Sequence, residues 1–248
     1  NYEIGVHIAD VSHYVRPTSQ LDKEAYYRAT SIYLVDRVIP MLPEKLSNGV
    51  CSLRPHEEKL CFAAVFEMND NAEVVKKWFG KTVIYSDHRF AYEDAQEVIE
   101  KGEGPYKDEI LLMDRLAKLL RKERFKDGAI ALEKVEVRFR LDEKGKPLGI
   151  YLKESKDANK LIEEFMLLAN KCATQYVNKL SKEIKRTLPF VYRVHDVPNK
   201  ERLEELAEFV KQFGYNLKAD DKNSLRQLLE NIKDKPEEFI INDLLIRS

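Results

Sequence analysis

Cysteine is scarce in this 248-residue chain: Cys51, Cys61 and Cys172 are odd in number and widely spaced. No CxxC or Cys/His zinc spacing occurs, so neither a disulfide framework nor a structural zinc site is expected, and the thiols fit a reducing, cytoplasmic setting. Each lies among apolar neighbours, where packing is the ordinary role, and no paired base marks a thiol nucleophile. No apolar run approaches the ~18 residues that span a membrane, and no signal-peptide pattern is present, so no membrane partner is expected. An excess of charge of one sign is also missing. With 42 Lys and Arg against 43 Asp and Glu the formal net charge is −1, so any basic surface for a nucleic acid must be local. GxSxG, P-loop and GxGxxG motifs are absent, as are internal repeats and low-complexity tracts.

What is present suits a sizeable core. Hydrophobic residues make up 44% of the chain and charged residues 34%. The length fits one large domain or two small ones. Strands are expected over Tyr2–Ile8, Ser31–Val35, Leu60–Met68, Glu73–Tyr85, Val135–Leu141, Leu148–Leu152 and Pro189–Val194. Asn69-Asp70-Asn71 joins one hairpin, and Asp142 to Gly145 joins another. Asp10 to His13 reads as a polar turn. Helices are expected over Leu21–Thr30, Tyr92–Lys101, Tyr106–Phe125 and Lys156–Leu180, then near 200–213, 221–233 and 236–247, with Pro236 in the first turn of the last. In the longest helix Leu161, Ile162, Phe165, Leu168, Ala169, Cys172 and Tyr176 share one face at i, i+3, i+4 spacing. The pattern is a mixed α+β domain of mostly antiparallel strands packed by several long helices. Asn1 is not an initiator Met and Ile240–Ser248 carries no capping signal, so both ends read as cut from a longer chain.

The least regular stretch is Arg37–Leu53. Pro40 and Pro43 flank a Met-Leu pair, and Ser47-Asn48-Gly49 follows as a turn. Each proline fixes φ and removes an N–H donor, so no ladder runs through the block. Its apolar composition predicts burial, and buried irregular backbone commonly shapes a site.

Several side chains could carry chemistry. His7, Asp10 and His13 form H-x2-D-x2-H, a set of ordinary divalent-metal ligands. The spacing is not a fixed ligand geometry, and Asp10 capping the turn is the simpler alternative. Tyr33 sits in an otherwise aliphatic strand and Tyr92 opens a helix; core packing and a stacking platform for a nucleobase are both open to them. On the longest helix, 100° per residue places Glu163 near the solvent side and Glu164 at the border of the apolar face. There Glu164 could accept hydrogen bonds from hydroxyls or form a salt bridge.

Taken together, Gly5–Val15 (GVHIADVSHYV), Thr30–Val35, Arg37–Leu53, Leu161–Asn170 (LIEEFMLLAN), Tyr192–Asp196 with Pro198, and Leu244–Ser248 resemble the catalytic (RNB) domain of the ribonuclease II and ribonuclease R family, on its bacterial ribonuclease R branch. The matches run in order along nearly the whole chain. The resemblance implies that residues 1–248 are most of one RNB domain, truncated at both ends, in a monomeric, processive 3′→5′ exoribonuclease. Such an enzyme hydrolyses single-stranded RNA to nucleoside 5′-monophosphates with Mg²⁺. The family's D-x-D-D metal motif would lie before Asn1, and its catalytic arginine motif beyond Ser248. The resemblance therefore implies no catalytic residue within this chain, no metal ligand, and no activity for the fragment alone. It does imply substrate-binding residues. Tyr33 matches the tyrosine that stacks on the 3′-terminal nucleotide. Leu132 stands where the family commonly has the clamping phenylalanine, and leucine offers no π-face. Tyr92 and Glu164 match positions that read the ribose, whose 2′-OH separates RNA from DNA. A non-catalytic RNA-binding relative and, on His7, Asp10 and His13, an unrelated metallo-hydrolase are the competing readings.

Overall fold

The computed structural model describes residues 1–129, 136–194, 198–218 and 221–247. Its largest sheet is antiparallel, in the order β1-β4-β5, from β1 (Tyr2–Ala9), β4 (Glu58–Met68) and β5 (Val74–Tyr85). The register places His7 opposite Ala63 and Ala63 opposite Gly80. The β4–β5 hairpin closes where expected. The Asn69 side chain accepts from the N–H groups of Asn71 and Glu73, both at 3.0 Å, which lets the backbone turn without an orphaned donor. Short β2 (Ile32–Tyr33) and β3 (Val38–Ile39) pair with each other, as do β6 (Glu136–Leu141) and β7 (Pro147–Lys153).

The helices are α1 (Val11–Tyr14), α2 (Gln20–Arg28), α3 (Tyr92–Lys101), α4 (Lys107–Lys126), α5 (Asp157–Glu183), α6 (Lys200–Lys211), α7 (Lys222–Ile232) and α8 (Glu238–Ile246). Most starts carry a local cause. Ser19 accepts from the Asp22 N–H at 3.2 Å, Asn199 from the Arg202 N–H at 3.2 Å, and Asp221 from the Asn223 N–H at 2.9 Å.

The chain divides into two compact units. The first comprises Asn1–Glu123, Phe139–Gly149 and Lys156–Pro189, and the second Arg124–Arg138, Ile150–Ser155 and Phe190–Ser248. The core of the first joins Ile4, Ala64, Phe66 and Met68 of the sheet to Leu116 and Ala117 of α4 and Leu161, Phe165, Ala169 and Cys172 of α5. The second has its own core: Leu203, Leu206, Ala207 and Val210 of α6, Leu217, Leu228 and Ile232 near α7, and Ile241 of α8.

Three expectations fail. Pro189–Val194 forms no strand: Val191 is 93% exposed, and its β-branched composition has no ladder to join. The turn expected at Asp10 to His13 is the start of the short helix α1. The Arg37–Leu53 block is neither buried nor wholly irregular. None of its residues reaches the core, β3 occupies part of it, and Lys45–Val50 forms a π-helical turn closed by the Cys51 N–H on the Leu46 carbonyl at 3.0 Å. The buried Lys59 ammonium holds this turn to β4 by donating to the Gly49 carbonyl at 3.2 Å. In α5 the inner face is as expected except at Ile162 and Tyr176, which are exposed, although the Tyr176 ring still lies against Phe79 at 5.3 Å between centroids.

Candidate nucleic-acid interface

Tyr33 lies on the two-stranded ribbon β2–β3, paired with Val38. The ribbon is set by its own turn, where the Leu34 N–H donates to the Arg37 carbonyl at 2.8 Å. The Ser31 hydroxyl accepts from the Met41 N–H at 2.9 Å at its base. Beside that turn the Arg37 guanidinium holds the Asp36 carboxyl below the usual carboxylate range. Tyr33 is 78% exposed, so it is not a core residue. Its neighbours Ile32, Leu34, Val35, Val38 and Ile39 are exposed as well. Exposed apolar side chains clustered in this way, with Asp36 and Arg37 at the turn, form a surface of the kind that serves as a binding site in other proteins.

Tyr92 is the first residue of α3 and is 43% exposed, again a surface position. The Asp94 carboxylate accepts from the Ala91 N–H at 3.3 Å and fixes the helix start around it. Glu164 sits deeper than the border position expected from helical periodicity: it is 3% exposed. Its Oε1 accepts from Arg121 of α4 at 3.4 Å, while Glu163 is solvated and 3.8 Å from the same guanidinium. The helices that carry Tyr92 and Glu164 pack against each other. Gln96 of α3 joins them, its amide oxygen accepting from the Ala158 N–H of α5 at 2.9 Å. Tyr33 belongs to a separate ribbon. Leu132, with His195 and Asp196 of the sequence motif, lies outside the described residues.

His7, Asp10 and His13 do not converge. The His7 ring folds back along β1 over Gly5, so close that a Cβ there would stand 2.4 Å from Nε2. Burial lowers the His7 pKa, and its Nδ1 is enclosed without a hydrogen-bond partner. Asp10 is buried and engaged by the Ser12 hydroxyl at 2.6 Å and the Lys81 ammonium at 2.9 Å, which hold its carboxyl below the usual range. His13 packs edge-on to Tyr14. Among the described residues no three His, Cys, Asp or Glu side chains group to hold a metal ion. The donor set among the described residues therefore does not fit the Mg²⁺ that the family resemblance implies. Burial also pushes the Cys51 and Cys61 thiols up, away from nucleophilic character.

Sequence reasoning missed Arg121. The one signal was its place in α4, a turn after Ala117, which is buried. A cation where the helical repeat calls for an apolar side chain indicates a buried acidic partner.

Ribonuclease R of Thermotoga maritima is 41% identical over 257 residues, spanning 100% of this chain and 35% of that protein. The chain spans about a third of the length of the curated relatives it matches. Mycoplasma genitalium RNase R, solved in complex with ribose-methylated single-stranded RNA, superimposes with a TM-score of 0.85 at 30% identity, over 99% of this chain and 39% of that one. The yeast pseudonuclease Ssd1 shares the fold, with a TM-score of 0.74 at 19% identity over 99% of this chain and 30% of that one. The RNB domain family matches residues 1–248 throughout, and the chain belongs to that family.

Proposed function

We propose that this chain is the RNA-holding part of a processive 3′→5′ exoribonuclease, which hydrolyses single-stranded RNA to nucleoside 5′-monophosphates in the cytoplasm. The observation that carries the reading is Tyr33, an aromatic ring left 78% exposed on a ribbon within an RNB domain. An exposed ring face can take a nucleobase, with ~1–3 kcal/mol per stacked base. In this reading Tyr33 stacks on the 3′-terminal base, with Leu132 at the opposing clamp position. Tyr92 and Glu164 lie on two helices packed together, and in this reading the Tyr92 hydroxyl donates to the ribose 2′ oxygen while the Glu164 carboxylate accepts from the 2′-OH. The Mg²⁺ ligands and the catalytic arginine are expected in the rest of the longer protein. A monomer is sufficient for all of these roles.

The second reading is a non-catalytic RNA-binding relative, favoured by the fold shared with a pseudonuclease. One experiment separates them. The full-length protein is incubated with 5′-labelled single-stranded RNA and Mg²⁺, and products are resolved by length. Conversion of the full-length strand to a short 5′-labelled end product without a ladder of intermediates is expected, with nucleoside 5′-monophosphates released from a uniformly labelled strand in parallel. RNA binding with no shortening would replace the nuclease by the pseudonuclease. In the same assay Glu164→Gln is expected to narrow the preference for RNA over DNA, and a preference left unchanged would remove Glu164 from the ribose site.

A further inference from the structure

A second group of rings lies on the surface just before Tyr92. His88 and Phe90 of the loop between β5 and α3 contact each other with ring centroids 4.3 Å apart at 62°. Tyr106, from the turn between α3 and α4, stands 5.5 Å from His88 and 6.3 Å from Phe90. These separations lie in the range of favourable offset and edge-to-face pairs. His88 and Tyr106 are exposed, and Phe90 is half-buried.

The arrangement costs something to keep. Tyr106 has φ 53°, a left-handed conformation that a bulky aromatic residue rarely adopts. Its carbonyl is tied to the first turn of α4 by the Ile110 N–H at 3.0 Å. On the other side the Ser86 hydroxyl donates to the His88 carbonyl at 3.1 Å, and the His56 N–H donates to the Ser86 carbonyl at 2.8 Å. Both halves of the cluster are thus anchored in backbone, while two of its three rings remain open to solvent. Arg89, exposed, sits between His88 and Phe90. The Asp94 carboxylate accepts from the Ala91 N–H, and Asp87 is exposed in the same loop as Arg89.

We infer that His88, Phe90 and Tyr106 form a second stacking site for single-stranded RNA, on which a base other than the 3′-terminal one rests, with Arg89 at the adjoining phosphate. The site deepens the proposed function and rests on it. Rings that already contact each other lose little freedom when a base is laid on them. Arg89 and Asp87 leave the loop near neutrality, so affinity here comes from ring faces rather than from net charge. Stacking needs no 2′-OH, so the site does not distinguish RNA from DNA.

The test uses the full-length protein and fluorescein-labelled oligouridylate in EDTA, so that the RNA is not consumed, with oligothymidylate in parallel. Tyr106→Ala and His88→Ala are each expected to weaken binding of both oligomers by the same factor, about 5- to 150-fold. Tyr106→Phe is expected to retain affinity. Neither alanine variant changes the slope of log affinity against log salt, whereas Arg89→Ala reduces it by about one. Unchanged affinity in both alanine variants overturns the inference while leaving the proposed function standing. So does a loss in Tyr106→Phe equal to that in Tyr106→Ala, which would assign the contact to the hydroxyl. Failure of the unaltered protein to bind oligouridylate overturns the proposed function itself.

Discussion

His7 lies in β1 and Asp10 just beyond its end, and acid acts on them in different windows. Asp10 titrates below the ordinary aspartate range because Ser12 and Lys81 hold its charged form. The unfolded chain keeps the ordinary value of about 3.9, so the paired carboxylate favours folding above that pH, and the benefit is lost as pH falls through the lower folded value. His7 titrates below its ordinary value because burial disfavours its charge. Its unfolded form takes up the proton first, from about pH 6.5 downward, so stability declines as pH falls through that window. Urea denaturation across pH 8 to 3 is expected to show both declines, with Asp10→Asn flattening the lower one. An acid limb unchanged in Asp10→Asn would mean that the pairing does not act in solution. Glu164 presents a different case, because it is buried beside Arg121. Removing one partner of such a pair leaves a charge away from water, so Arg121→Met is expected to cost about 3 kcal/mol by chemical denaturation. A loss below half of that would show the carboxylate to be held mainly by other groups. No local rule placed Glu164 this deep. Periodicity ranked it at a border; the burial comes from tertiary packing, with α3 against the same helix and Arg121 of α4 at its carboxylate.

Elements whose signal is local were legible, and those that depend on a distant partner were not. The inner face of α5 and the Asn69 turn follow from spacing and from one side chain's hydrogen bonds. Pro189–Val194 has strand composition, yet a strand exists only where a neighbour completes its ladder, and none is present along those residues. Tyr33 shows the same limit at the proposed stacking position: an aromatic among aliphatic residues reads as core until its ring is seen to be exposed. The three-stranded sheet carries a device that sequence alone does not reveal. The ring of Trp78, the chain's one tryptophan, folds over Gly80 as His7 folds over Gly5. A Cβ at Gly80 would lie 2.4 Å from Cζ2 of the indole, so the ring must swing outward. Trp78 is half-exposed and can move, so Gly80→Ala is expected to cost less than about 1 kcal/mol while shifting tryptophan emission to the red. Unshifted emission would show that the ring does not cover the glycine in solution.

At the scale of the molecule, the proposed function separates holding from cutting and assigns Tyr33, Tyr92 and Glu164 to the first. The exposed Tyr33 ribbon and the paired helices of Tyr92 and Glu164 all belong to the unit whose core joins the three-stranded sheet to α4 and α5. That core fixes the helices, whereas the ribbon is held by a few hydrogen bonds at its turn and base. Loss of the Tyr33 ring therefore removes a contact without disturbing the fold. In the full-length protein Tyr33→Ala is expected to leave the melting temperature unchanged and to weaken the grip on short RNA by the ~1–3 kcal/mol of one stacked base, about 5- to 150-fold. The effect should grow as the substrate shortens, because a long strand keeps its other contacts and a short one depends on its last base. Degradation should then stop at a longer end product, which gel analysis of 5′-labelled RNA reads directly. An end product of unaltered length, with shortening still proceeding from the 3′ end, would place the terminal base somewhere other than on Tyr33.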